Sequence, residues 1–130
     1  MDRNVESLIS DGLSALHAHL HGNQPSAART YIAGDDVVVA VLEKTFTPAE
    51  QALMDRGESE AIQELGRRLR RVMADDFAAI VEQATGRRVR SYISDTDLIE
   101  QVSIEVFLLG ASLEDMSGFE TAGGSEGSRG

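Results

Sequence analysis

Four groups of side chains in this chain are of types that do chemistry. The stretch Leu65–Arg90, "LGRRLRRVMADDFAAIVEQATGRRVR", holds Arg67, Arg68, Arg70, Arg71, Arg87, Arg88 and Arg90, seven of the twelve basic residues in a chain of net charge −10. A basic cluster of that density is the electrostatic footprint of a polyanion site. All three histidines fall in "HAHLHG", where His17 and His21 stand four apart and share one helical face, the spacing at which two imidazoles reach one zinc ion. "SDTD" sets Asp95 and Asp97 two apart, as at the start of a calcium loop, but no glycine and glutamate follow at the required offsets. Ser91, Ser94 and Ser103 have no histidine nearby and no nucleophile elbow, and no glycine-rich phosphate loop is present.

The elements that must position these residues decide between chemistry and scaffold. Val5, Leu8, Ile9, Leu13, Leu16 and Leu20 recur at helical spacing and predict a first helix to about Leu20, with His17 and His21 beside the apolar stripe on its wet side. "RTYIAGDDVVVAVLE" is two apolar runs around Gly34, Asp35 and Asp36, a β-hairpin. Its second arm, Val37–Leu42, is apolar without alternation, so both faces need cover: a helix on one side, and another layer or a second subunit on the other. Thr47, Pro48 and Glu50 read as N-cap, N1 and N3 of a helix that breaks or kinks near Gly57. A long helix then carries Leu65, Leu69, Val72, Met73, Phe77, Ile80 and Val81 on one stripe and ends at Gly86. "RRVRSYIS" and "EQVSIEVFLL" alternate with period two and form a second hairpin closed by "DTDLIE". Pairing Ile93 with Val102 would set Arg90 opposite Glu105, a cross-strand ion pair worth about 0.2–1 kcal/mol.

The expected fold is α+β: a two-layer sandwich of order α-β-β-α-β-β, with a mostly antiparallel four-stranded sheet and the long helix packed on one face. Residues 1–109 make one domain. Residues 110–130, rich in glycine, serine and acid, have little to bury and are expected to be disordered.

On that scaffold Arg67, Arg70 and Arg71 lie on the solvated side of the long helix, with Glu64 four before Arg68 and Asp75 four after Arg71. Arg87, Arg88 and Arg90 follow the helix end, where its dipole favours cations. The cluster is therefore read as internally compensated charge or a subunit contact. With a pI near 4.6 the whole chain repels phosphate polyanions, and only Tyr92 and Phe107 could stack bases on the later strands, so no nucleic-acid partner is expected. The absence of cysteine removes disulfides and thiolate metal sites and suits the cytoplasm. No third ligand accompanies the histidines, so neither metal nor cofactor is expected. No apolar run approaches a membrane span, so direct membrane insertion is not expected. No catalytic centre is evident, and the chain is expected not to be an enzyme.

Leu42 and Glu43 ending an aliphatic strand, Thr47-Pro48-Ala49-Glu50, Arg67 on the long helix, Thr85-Gly86-Arg87 with Val89, and Ser94, Asp95 and Asp97 before an alternating strand occur in order along the chain. In these motifs the chain resembles the MpsC-like family, small proteins named for a component of a proposed sodium-translocating, membrane-potential-generating system. Phe46 stands where the family pattern has leucine, and the loop after Asp97 is shorter than its common form. The resemblance implies a cytoplasmic, non-catalytic accessory or regulatory module beside a membrane transport protein, expected to be a homodimer associating through its sheet. A second expectation is a small-anion or metabolite sensor with a pocket between sheet and helix. The residues expected to bind are Arg67, Arg87, Arg90, Asp95 and Asp97.

Overall fold

A computed structural model describes residues 2–114. Helix α1 spans Asp2–His21, strands β1 and β2 span Ala27–Ala33 and Val37–Glu43, helices α2 and α3 span Pro48–Asp55 and Ser59–Thr85, and strands β3 and β4 span Arg87–Asp97 and Val102–Ser112. The four strands form one antiparallel sheet in the order β1-β2-β4-β3, with α1 and α3 packed on one face. This is the α+β order expected from the sequence. The break at Gly57, which sits at φ 77°, divides the middle helical region into α2 and α3.

Local chemistry sets the element ends. Thr47 caps α2 reciprocally with Glu50: the Glu50 N–H donates to the threonine hydroxyl at 3.2 Å, and the Thr47 N–H donates to the carboxylate at 2.8 Å. Gly86, in the left-handed conformation at φ 74°, stops α3 and returns its N–H to the Glu82 carbonyl. Gly12 serves packing rather than capping. A Cβ there would sit 2.8 Å from Cγ2 of Ile80, so its absence lets α1 lie against α3.

Ile9 and Leu13 of α1, Met73, Phe77 and Val81 of α3, and Val38, Ala40, Phe107 and Leu109 of the sheet make the core. The α3 stripe is narrower than its periodicity suggests. Val72 is 65 % exposed and Leu65 39 %, because the helix meets the sheet with the Met73, Phe77 and Val81 side and leaves the flank to water.

The second hairpin differs from the expected register. Strand β3 runs on through Asp95 and Asp97, and the connection shrinks to residues 98–101, so Ile93 faces Val106 rather than Val102 and Ser94, not Arg90, stands opposite Glu105. The physical reason is that β3 is an edge strand: its outward acids remain in water, so strand structure can continue where the acids read as loop. Asp97 then closes the turn by accepting the N–H groups of Ile99 and Glu100, each at 3.0 Å. Strand β4 also extends to Ser112, so the first three residues of the expected tail belong to the sheet; the rest of that tail from residue 115 lies outside the described residues.

Candidate functional site

Between the first half of α3 and the sheet lies a cavity of about 260 Å³. Its wall is contributed by the end of α1 (His17, His21), the capped start of α2 (Thr45, Phe46, Glu50), α3 (Ile62, Arg67, Leu69, Arg70, Met73) and the inward residues of β3 and β4 (Tyr92, Ser94, Thr96, Ser103, Glu105). Strand alternation explains the polar floor. The sheet positions that pack under α1 and the later part of α3 are apolar, Phe107 and Leu109, whereas the same inward row continues past the packed part of α3 as Glu105 and Ser103.

Glu105 is only 4 % exposed and accepts the Tyr92 hydroxyl, while Tyr92 stacks on Phe107 with ring centroids 4.9 Å apart. Burial pushes the Glu105 carboxyl up, and the donors Tyr92 and Ser94 and the cation Arg70 only partly offset it. Burial, with the neighbouring carboxylate, likewise pushes the Tyr92 phenol well above its ordinary value. Thr96 and Ser103 share a hydroxyl hydrogen bond of 2.9 Å beside them.

His17 and His21 are inside, not on the wet side of α1. His17 is 6 % exposed and its Nδ1 donates to the Asn23 carbonyl at 2.9 Å, which leaves Nε2 with its lone pair. Burial pulls its pKa down. His21 Nε2 lies 2.8 Å from Glu50 Oε1, the same oxygen that takes the Thr47 N–H. For Glu50, burial acts upward, but the bonds from His21 and Thr47 outweigh it and hold the carboxyl below its usual range. The cap of α2 is thus also the latch between α1 and α2. Among the described residues no group of three or more histidine and carboxylate side chains is arranged to hold a metal ion.

Of the residues expected to bind, the structure brings Arg67 and Asp95 to the cavity. Arg67 sits on the rim, paired with Glu64 at 2.6 Å. Asp95 is exposed on the edge strand, its Oδ1 taking the Thr96 N–H. Arg87 and Arg90 lie away from the cavity. The Arg87 guanidinium donates to the carbonyls of Gly110 (3.0 Å) and Asp35, tying the start of β3 to the end of β4 and to the first hairpin turn. Arg90 donates to the Leu109 carbonyl at 3.3 Å within the bulged part of β3. Asp97 caps its turn. Sequence reasoning missed Tyr92, Glu105 and Arg70. The readable signal was a carboxylate, Glu105, in the Ser103, Glu105, Phe107, Leu109 row of a strand that is apolar on its other row as well.

That other row faces away from the helices, where no element covers it among the described residues. The register lines up three rows across the four strands: Ala33, Val37, Leu108, Ser91; then Tyr31, Val39, Val106, Ile93; then Arg29, Val41, Ile104, Asp95. Tyr31 is 53 % and Ile93 59 % exposed, so aliphatic and aromatic surface spans the sheet from edge to edge. Arg29 stands on one edge and Asp95 on the other at the same level.

The fold and its two surfaces define a small α+β protein with a polar cavity under its long helix and a bare aliphatic sheet face. The chain belongs to the MpsC family, described as the Na+-translocating membrane potential-generating system (MpsC), whose model matches residues 2–111. No curated protein and no solved structure matches the chain. Among the described residues no helix is long and apolar enough to cross a membrane.

Proposed function

We propose that this chain is a non-enzymatic, homodimeric accessory module that works in the cytoplasm beside a membrane ion-transport system. The observation that carries the reading is the uncovered sheet face. Contiguous apolar area of this kind marks an association surface, and its charges are self-complementary. A second copy turned about a two-fold axis parallel to the strands lays β1 over β3 of its neighbour. Arg29 then meets Asp95 of the second copy at both edges, while Val39, Val41, Ile104 and Val106 stack at the centre, as aligned sheets do at about 10 Å spacing. An isologous contact repeats each pairing, which is how a single Arg29 and a single Asp95 suffice. The acids nearest this contact are already engaged: Glu43 with Arg29 of its own chain at 2.7 Å, and Asp97 with its turn amides.

The family's description supports placing the dimer beside a membrane-potential-generating system. The dimer would leave the helical layer, with exposed Leu8, Leu65 and Val72, free for such a partner. Light scattering on the eluting protein tests the reading: wild type is expected at twice the chain mass, and Val106→Lys, which puts an ammonium at the centre of the stacked faces, at the single-chain mass with unchanged circular dichroism. A wild-type monomer at concentrations of tens of micromolar would reject it.

A second reading, a small-metabolite sensor, is favoured by one observation: the cavity between α3 and the sheet, whose buried polar groups are not all paired among the described residues.

A further inference from the structure

The cavity's two ends have opposite chemistry. Its floor is rich in acceptors. His17 presents Nε2 as a lone pair, because Nδ1 already donates to Asn23. Glu50 uses Oε1 for His21 and Thr47, and Glu105 uses Oε1 for Tyr92. The second oxygen of Glu50, like Nε2 of His17, has no hydrogen-bond donor among the described residues, although both side chains are at least nine-tenths buried, and Glu105, equally buried, has the hydroxyls of Tyr92 and Ser94 beside it. Buried acceptors without donors lose their hydration uncompensated, so the floor is set up for a group that brings several N–H bonds. A primary ammonium brings three.

The rim is cationic. Arg67 and Arg70 stand three apart on α3, and Arg67 is engaged by Glu64. Half-buried Arg70 has no carboxylate within ion-pair distance among the described residues, yet its charge acts on both Tyr92 and Glu105 without hydrogen-bonding either. The Arg70 guanidinium and the buried Glu105 carboxyl thus line one cavity without a hydrogen bond between them, and Leu69 and Met73 add apolar wall. The volume, about 260 Å³, falls just below the roughly 300–1,000 Å³ typical of drug-sized ligands.

We propose that this cavity binds a small zwitterion of the α-amino-acid type, its ammonium on the acceptor-rich floor beside Glu105, its carboxylate on Arg70, and its side chain along Leu69 and Met73. The inference rests on the metabolite-sensor reading and narrows it to one ligand class. Neither a simple anion nor a simple amine answers both ends. An anion alone satisfies Arg70 and leaves the floor acceptors unpaired, whereas an amine alone leaves the guanidinium without its counter-ion.

The test uses the full chain, with binding measured by calorimetry and thermal shift for the proteinogenic α-amino acids. For leucine and valine it adds the matched carboxylates that lack the amine (4-methylpentanoate, 3-methylbutanoate) and the matched amines that lack the carboxylate (3-methylbutylamine, 2-methylpropylamine). At least one amino acid is expected to bind, and the bound amino acids to bind tenfold or more tighter than either matched half. Arg70→Gln and Glu105→Gln should each weaken binding tenfold or more, while Arg90→Gln, at the far end of β3, should not. A carboxylate that binds as tightly as its amino acid would overturn the zwitterion and leave an anion sensor standing. Failure of every probe to bind folded protein would overturn the zwitterion and the sensor reading together.

Discussion

At the scale of single residues, the chain buries ionisable groups whose protonation pulls stability in opposite directions. Glu105 has its folded-state pKa raised above 4.5 by burial, so in the window above 4.5 the folded chain holds more protons than the unfolded one and stability falls as pH rises. His17 has its pKa lowered from 6.5, again by burial first, so stability falls as pH drops from 6.5 toward the folded value. The two partly cancel in wild type. In thermal unfolding followed by circular dichroism, Glu105→Gln should raise Tm at about pH 8 and converge on wild type near pH 4, and His17→Gln should flatten the loss of Tm below pH 6.5. A Glu105→Gln protein whose Tm tracks wild type at every pH would show that the carboxyl is hydrated rather than buried. The burial of neither residue is legible in the sequence, which marks His17 only with His21 on a wet helix flank and Glu105 only as a partner for Arg90. His17 sits beside the apolar stripe of its helix, and only the fold turns that border inward. Glu105 alternates with hydrophobes on a strand whose two rows are both apolar enough to be core.

At the scale of elements, much was legible, and the exceptions have identifiable causes. The cap at Thr47, the break at Gly57, the stop at Gly86 and the turn at Gly34 to Asp36 are written in local chemistry, and the structure has each of them. The second hairpin's register was not, since it depends on how far an edge strand runs through Asp95 and Asp97. Hydrophobic alternation cannot set that: the expected and observed registers differ by four residues, an even number that keeps every side chain on the same face. Two substitutions test the element contacts. Gly12→Val inserts a branched side chain where a Cβ would already lie 2.8 Å from Ile80, and should cost about 1–3 kcal/mol in urea unfolding. Thr47→Ala removes one half of the capping box and should cost about 1 kcal/mol, leaving the His21 contact of Glu50 in place. A neutral Gly12→Val would mean that α1 and α3 are looser than their close approach implies.

At the scale of the whole molecule, the arginine cluster resolves into three duties. Arg67 and Arg68 share Glu64 on the α3 surface, Arg70 lines the cavity with no ion-pair partner among the described residues, and Arg87 clamps both hairpins by their backbone carbonyls. The need for cover on both faces of β2 was readable from the unbroken run Val37–Leu42, and among the described residues no element covers one of those faces. Such a self-complementary face predicts a dimer, and a charge swap across it tests the contact. Sedimentation equilibrium should find a wild-type dimer, weaker dimers for Arg29→Asp and for Asp95→Arg alone, and recovery toward wild-type affinity in the Arg29→Asp/Asp95→Arg double variant. A double variant as weak as the two single losses combined, or single variants that dimerise as wild type does, would contradict the stacked-sheet dimer.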